Sequence, residues 1–421
     1  MGKRWSIGLL VGLVLAACTS VTEPTKEGKT VTAMPKSAKR GVAFSFSHLA
    51  DLPVLSPYIS WDYNWGNTPT NDAALWFDSN EMDYCPMCWN GSYNADAIRA
   101  YVAAHPNTKY LLGFNEPNLT DQANMTPKQA AELWPPIVAL AKELKLQLVS
   151  PAMNYGTLAG YGDPIKWLDE FFAQPEVSLD DIDAIAIHCY MASLSGLQGF
   201  VQKFEKYSKP IWLTEFCAWD PLPGSVEVQM DYMSGVLNYL ESTASIARYA
   251  WFIPRTNGKV DSPPYMQLLT HDEPPALTEL GKMFCLFSSM DTTVWLQADR
   301  LISAHEYVKV ANNAQPVRPS TDTQNSNGLM VCNFAAGQKL TYQLSLPAAA
   351  SKITLRYCGY SNSICEVFVD GVSKNYVDMP RNGSTNQWAE ASVDLPVSAG
   401  CHTIALALFS GNCYLSAFKI Q

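Results

Sequence analysis

Leu111-Leu112-Gly113-Phe114-Asn115-Glu116-Pro117-Asn118 and Ile211-Trp212-Leu213-Thr214-Glu215-Phe216 each carry an apolar run straight into a glutamate. A carboxylate buried at the end of such a run is costly unless it has a partner or a task. Both runs have strand composition, so each glutamate falls at the C-terminal tip of a strand. Working outward, eight short β-rich runs fit between Arg40 and Ser288, at 41–46, 58–65, 82–89, 110–115, 147–151, 184–190, 210–215 and 247–252. Helical patterns separate several of them. Thr126-Pro127 opens an apolar repeat that runs to Leu144, with a Thr cap and Pro at the first helical position. Asp163-Pro164 opens a second helix, and Ser225 a third with Val228, Tyr232, Val236 and Tyr239 on one face. Eight strands with intervening helices predict an α/β domain of the (β/α)8 TIM-barrel type. In that architecture chemistry sits at the C-terminal ends of the strands, where both glutamates lie.

Two carboxylates facing one cleft suit glycosidic bond cleavage. One protonates the leaving oxygen, and the other attacks the anomeric carbon or activates water. The composition agrees. The chain has 421 residues, 48% hydrophobic and 16% charged, which describes a packed globular protein of one large and one small domain. A formal charge of −10 argues against nucleic acid and anionic membrane surfaces as partners and is compatible with a neutral substrate. The 12 Trp and 20 Tyr supply flat faces for sugar rings, although any one of them is core by default.

After Met290 the apolar period changes to two. Ile353, Leu355 and Tyr357 alternate with polar residues, as do Val367 with Val369, and Ile404, Leu406 and Leu408. Asp370-Gly371 is a tight-turn signal. This predicts an all-β, jelly-roll-like sandwich. The domain reading is a leader at 1–18, a flexible linker at 19–39, a catalytic domain at 40–288 and a β-sandwich module at 289–421.

The leader has Lys3 and Arg4, an apolar stretch at 7–15 too short for a permanent span, and then Leu15-Ala16-Ala17-Cys18. Cys18 in that setting resembles the lipidated cysteine of a bacterial lipobox. It predicts an outer-membrane or cell-surface lipoprotein anchored through Cys18, with an unlipidated secretory signal as the alternative. Export permits disulfides, and ten cysteines follow Cys18. Cys85-Pro-Met-Cys88 lacks the partners of a zinc or thioredoxin-like site and reads as a local disulfide. Cys358 with Cys365, and Cys401 with Cys413, read as local bridges. Four Asn-X-Ser/Thr sequons, at Asn90, Asn118, Asn124 and Asn382, read as chance in a bacterial chain.

The region from Gly41 to Phe287 resembles glycoside hydrolase family 128, the endo-β-1,3-glucanases. The carriers are Trp61-Asp62-Tyr63-Asn64-Trp65-Gly66, Pro86-Met87-Cys88-Trp89, Leu112 through Asn118, Ile187-His188-Cys189-Tyr190, Trp212 through Phe216 and Tyr249-Ala250-Trp251-Phe252. The resemblance implies a retaining endo-glucanase with Glu116 as acid/base and Glu215 as nucleophile. It implies that Asn115 holds the sugar 2-hydroxyl and that Tyr190 hydrogen-bonds Glu215. His188 either lines the cleft or is a satisfied core histidine. Trp251 is a candidate platform under the sugar, and Asn64, Trp65 and Trp89 are further cleft candidates. Cys88 and Cys217 depart from the family pattern; a bridge at either would reshape the cleft.

The C-terminal region resembles carbohydrate-binding module family 6, through Leu296-Gln297-Ala298-Asp299, Phe368-Val369-Asp370-Gly371, Gln387-Trp388 and Gly411-Asn412. That implies sugar binding by Tyr360, Trp388 and Asn412. A structural calcium would need two carboxylates where this chain has Gln297 and Asp299, which weighs against it. No other metal and no cofactor is expected. The partner is a β-glucan, and the chain is expected to be monomeric. The competing readings are a non-catalytic glucan-binding surface lipoprotein and a hydrolase of the same mechanism acting on another β-glycan.

Overall fold

The computed structural model describes residues 28–257, 264–311 and 316–421. The leader, Cys18 and the first part of the linker lie outside the described residues.

Each of the eight N-terminal runs contains a strand. They are β2 (Arg40–Ala43), β3 (Trp61–Tyr63), β4 (Asp83–Tyr84), β5 (Tyr110–Leu112), β6 (Gln147–Val149), β7 (Ile185–Met191), β8 (Ile211–Asp220) and β9 (Ile246–Trp251), after a first strand β1 (Lys29–Val31). Every pairing among β2–β9 is parallel. Six strands run β4-β3-β2-β9-β8-β7, and β5 pairs β6. Single parallel bridges join these two groups, Met87 to Leu112 on one side and Val149 to Ala184 and Met153 to Ile187 on the other.

The helices are α1 (Leu52–Leu55), α2 (Asn71–Ser79), α3 (Ala95–Ala104), α4 (Pro127–Leu133), α5 (Pro135–Leu144), α6 (Pro164–Phe172), α7 (Leu194–Phe204), α8 (Val226–Ser242) and α9 (Glu279–Leu286). The single helix predicted from Thr126 to Leu144 is broken in two. Pro135 and Pro136 cannot donate to the preceding turn, so the chain restarts at Trp134. The predicted capping holds elsewhere: Thr126 and Gln129 form a reciprocal capping box, and Asp163 accepts from the Ile165 amide. Apolar residues of the helices and strands form one buried core.

The C-terminal region is two sheets. The strands are β10 (Val294–Gln297), β11 (Ile302–Ser303), β12 (Lys309–Ala311), β13 (Val317–Pro319), β14 (Leu329–Ala335), β15 (Lys339–Leu346), β16 (Ala350–Cys358), β17 (Ser363–Val369), β18 (Val372–Met379), β19 (Ala389–Val397), β20 (Gly400–Ser410) and β21 (Asn412–Ile420). One sheet runs β1-β10-β15-β20-β17-β18, the other β13-β14-β21-β16-β19. The alternating residues read from sequence, Ile353, Leu355, Val367, Ile404 and Leu406, all point inward and are buried. At the β17–β18 hairpin Asp370 and Gly371 both have positive φ, 50° and 80°, as the tight turn requires.

Three expectations are corrected. Residues 28–39 are not a free tether. Lys29–Val31 adds a parallel strand to β10 of the C-terminal sheet, and the Lys39 ammonium donates to the Leu240, Glu241 and Thr243 carbonyls. Second, no predicted disulfide forms: Cys85, Cys88, Cys358, Cys365 and Cys413 are buried free thiols. Strand geometry separates Cys358 from Cys365, which sit on facing sheets. Cys217 is also a free thiol, so no bridge reshapes the cleft from there. Third, Glu215 is not at a strand tip, because β8 continues to Asp220.

The two regions are joined by more than the chain. β13 lies along α8 and α9: Ser234 of α8 accepts the Val317 amide, Asn238 accepts the Tyr307 hydroxyl, and Arg318 pairs with Asp231. Arg40, fully buried at the start of β2, binds Glu241 and four carbonyls between Phe284 and Ser288. That network fixes the segment leaving α9. Among the described residues no helix is long and apolar enough to cross a membrane.

Candidate active site

The site is built from the turn just beyond β5 and from residues within β7 and β8. Gly113 allows the close approach it needs: a Cβ there would lie 2.8 Å from the Trp134 ring and 3.0 Å from the Pro151 nitrogen. Beyond it the Asn115 amide donates to the Trp89 carbonyl and the Glu116 amide to Ala152, which pins the turn to both neighbours. Glu116 itself has φ of 42°, a left-handed conformation that costs an ordinary residue about 1–2 kcal/mol. Trp65, on the opposite wall, has φ of 61°. Two non-glycine residues held this way in one cleft mark a site that its surroundings over-determine.

Both carboxylates are nearly buried and hydrogen-bonded. Glu116 Oε1 accepts from His188 Nδ1 at 2.8 Å and from Asn154 Nδ2 at 3.1 Å. Glu215 Oε1 accepts from the Tyr63 hydroxyl at 2.7 Å and the Trp65 indole at 2.8 Å, and Oε2 accepts from the Tyr190 hydroxyl. His188 Nδ1 also lies 3.5 Å from Glu215 Oε2. Glu116 Oε1 and Glu215 Oε2 therefore cannot be farther apart than those two lengths end to end, about 6.3 Å.

Burial pulls the His188 imidazole toward neutrality, but the Glu215 and Glu116 charges outweigh it and raise its pKa above 6.5. Burial pushes the Glu116 carboxyl up; His188 and the Asn154 amide outweigh that and hold it below its ordinary value. Burial and the adjacent Glu215 charge push the Tyr63 and Tyr190 phenols well up, so both remain donors. The site is thus a proton shared between His188 and Glu116, beside a carboxylate fixed by three neutral donors.

Most sequence-derived residues converge here, but not all in the expected role. Asn115 is buried beside Glu116; its amide nitrogen donates to Gln122, and its Oδ1 has no protein partner. His188 is buried and bridges the two glutamates. Trp65 touches Glu215 directly. Trp89 is half-buried against the core and serves the site through its carbonyl.

Asn64 is a loop brace: its amide nitrogen bonds the Thr68 carbonyl, and its oxygen accepts from Gly66 and Tyr84. Trp251 is not a platform. It is fully buried, its indole donates to the Met266 carbonyl, and it packs edge-on to Phe216. The next residue, Phe252, takes that place. It stacks on Trp219 at 5.8 Å and meets Trp65 and Tyr190 edge-on. Strand alternation explains the shift, since neighbours in a strand face opposite ways. Tyr63, Asn154, Trp219 and Phe252 were missed. Only Tyr63 carried a signal, being two residues before Trp65 on the same face.

At the far end of the molecule, the loops carrying Tyr360 and Trp388 are joined through Asn382, which bonds Gly359 and the Gln387 carbonyl. Tyr360 is 66% exposed, and the Trp388 indole donates to Thr321. Asn412 is half-buried at the start of β21 on the same edge. The Gln297 amide donates to Asp299, so these two engage each other. Among the described residues no group of three or more His, Cys, Asp or Glu is placed to hold a metal.

The fold and this carboxylate pair define the class. Over residues 41–284, more than half of its length, the chain matches the family described as glycosyl hydrolase catalytic core, and it belongs to that family. It is similar to the crystal structure of a GH128 (subgroup II) endo-β-1,3-glucanase from Pseudomonas viridiflava, with 39% identity and a TM-score of 0.54, covering 59% of this chain and 98% of that one. A second GH128 (subgroup II) endo-β-1,3-glucanase, from Sorangium cellulosum, is 36% identical with a TM-score of 0.51 over 59% of this chain and 97% of that one. Alkali-sensitive linkage protein 1 of Schizosaccharomyces pombe is 31% identical over 208 residues, 47% of this chain. The chain spans only about a third, 35%, of that curated relative's length.

Proposed function

We propose that this chain is a retaining endo-acting hydrolase of β-1,3-glucan, built as a (β/α)8 barrel with an appended jelly-roll module that binds the same polymer. The observation that carries the reading is His188 Nδ1 within reach of both carboxylates, which limits the two oxygens it faces to a separation of about 6.3 Å at most. Retaining enzymes hold the pair about 5–5.5 Å apart and inverting ones about 6.5–9.5 Å apart, so the spacing favours double displacement.

Glu215 is the nucleophile. Its two oxygens are aimed by Tyr63, Trp65 and Tyr190, and it attacks the anomeric carbon as the bond to the leaving oxygen breaks. Glu116 is the acid/base. The proton held by His188 crosses the 2.8 Å bond to Glu116, which gives it to the leaving oxygen. In the second step Glu116 takes a proton from water, which attacks the anomeric carbon and releases Glu215. Phe252, Trp219 and Trp65 form the apolar wall for the sugar face. The β-1,3 linkage is supported by the similarity to the two subgroup II enzymes.

Glu215→Ala abolishes hydrolysis of laminarin, and added azide restores turnover of laminaribiosyl fluoride as an α-glycosyl azide. Undiminished hydrolysis by that variant, or a product of inverted anomeric configuration from the wild type, rejects the scheme. A panel of β-1,3-, β-1,4- and β-1,6-glucans with product sizing tests linkage and endo action. The surface-lipoprotein reading rests on Leu15-Ala16-Ala17-Cys18 and is tested by fatty-acid labelling of the wild type against Cys18→Ser.

A further inference from the structure

A groove of about 340 Å³ lies outside the catalytic cleft, where the catalytic domain meets the C-terminal region. Ala192, Ser193 and Leu194 line it at the start of α7, Val228 and Gly235 line it from α8, and Pro316 adds a wall from the C-terminal region. β7 brings His188 and Tyr190 to the two carboxylates and ends at Met191, so the next residues of the chain lead from the cleft into the groove. The Ala192 amide donates to the Asp220 carbonyl at 3.0 Å, which ties this rim to the end of β8. Helices that follow parallel strands begin at the strands' C-terminal ends, so both helical walls start on the cleft side.

The C-terminal region climbs α8 toward the same side. Tyr307 donates to Asn238, Val317 to Ser234, and Arg318 to Asp231 and to the Glu227 carbonyl. From Asn238 to Glu227 these partners cover about 16 Å of the helix, running from the barrel floor to the rim. Just beyond Arg318, the Thr321 hydroxyl accepts from the Trp388 indole at 3.3 Å. The Tyr360–Trp388 edge is therefore reached from the cleft end of the contact, not from the floor.

The lining selects a neutral occupant. Asp231, the charged residue in it, is already paired with Arg318. Ala192, Leu194, Val228 and Pro316 supply aliphatic surface, and Val228 is 50% exposed. Sugar rings bring apolar faces to such a surface, and their hydroxyls can reach the Asp231 carboxylate at its rim. We propose that this groove is a track for a single β-glucan chain, running from the catalytic cleft to the Tyr360–Trp388 edge. The proposal rests on the hydrolase and module readings above and adds how the two sites cooperate. A chain held at the edge lies along the groove and enters the cleft in register, so its second contact is intramolecular.

The test compares an insoluble β-1,3-glucan with laminarihexaose on the full chain. Gly235→Leu fills the groove while favouring the helix, and its new Cβ lies 3.4 Å from Leu194 Cδ2, an ordinary contact. It lowers the ratio of the rate on insoluble polymer to kcat/KM for the hexaose about tenfold. Val228→Arg, which lays a long side chain across the groove from an exposed position, lowers it less. Trp388→Ala lowers the same ratio, and adding it to Gly235→Leu lowers it no further, because both act on one chain. A wild-type ratio in the two groove variants overturns the track, as does an equal loss on both substrates, which marks a structural role. Losses that multiply in the double variant, or a ratio that Trp388→Ala leaves unchanged, overturn the single chain. A changed oligomeric state with an unchanged ratio assigns the groove to a second copy and overturns the proposal too. A wild-type chain inactive on the hexaose overturns the hydrolase reading itself.

Discussion

Glu116 and Glu215 sit in a pocket where buried side chains hold both carboxylates, while Tyr360 and Trp388 stand at an edge of the C-terminal sheets. The contrast follows from what each place must do. Moving a proton and stabilising developing charge require dipoles fixed in advance and sheltered from water, so the catalytic side chains are buried and tethered. Holding a sugar by its apolar face, the role proposed for this edge, requires accessible rings and little else; Tyr360 is exposed and Trp388 half-buried. The same contrast recurs inside the catalytic domain, between buried Trp251 and half-open Phe252.

The sharpest break in that contrast comes at Glu116. Glu116→Ala should lower turnover of laminarin about 10²–10⁴-fold, yet lose far less in the bond-breaking step for laminaribiosyl fluoride, whose leaving group needs no proton. Equal losses on both would make Glu116 a structural residue. Next is Tyr190→Phe. Removing a donor from a charged acceptor costs about 1.5–3 kcal/mol, so kcat/KM should fall roughly 10–100-fold with the fold intact by circular dichroism. A change under twofold would mean that Tyr63 and Trp65 alone suffice to aim Glu215.

How much of this was legible before any coordinates depended on periodicity. Each of the strands β2–β9 overlaps a run visible in sequence, because buried parallel strands read as continuous apolar stretches, although β8 runs five residues past its run. The carboxylate pair was legible because burying charge is expensive and so stands out. What failed was parity and partnership. The family resemblance points to Trp251 as the platform, but it does not say which face of the strand that ring occupies, and the ring is buried against Phe216. Asn64 looked like a ligand because the loop contacts that consume its amide are invisible in sequence. Lys29–Val31 has three residues and no pattern, so its pairing with β10 was taken for linker. The cysteine pairs were read from proximity along the chain, but Cys358 and Cys365 belong to strands on different sheets.

The open edge has a smaller effect to offer. Trp388→Ala should weaken co-sedimentation with insoluble β-1,3-glucan about tenfold, the scale expected of one aromatic anchor at a binding face. The comparison predicts that this loss concerns insoluble polymer. A parallel fall in kcat on laminarihexaose would mean that the edge serves the catalytic cleft, and the two regions would not be separable.

The smallest effect tests the buried side through its protons. His188 has a raised pKa in the folded chain, so its ionised form contributes stability fully below 6.5 and loses it as pH rises through the folded value. Glu116 has a lowered pKa, so its contribution is present above 4.5 and is lost as pH falls through the folded value. The pair therefore supports the fold most between those two limits. His188→Gln keeps a hydrogen-bond donor but cannot carry the charge. Its Tm should decline less steeply than that of the wild type as pH rises from 6.5, while Asp322, buried against Arg356 near the aromatic edge, has a lowered pKa and adds no slope in that range. Parallel Tm curves for the two proteins would place the shared proton elsewhere and remove His188 from the route to Glu116.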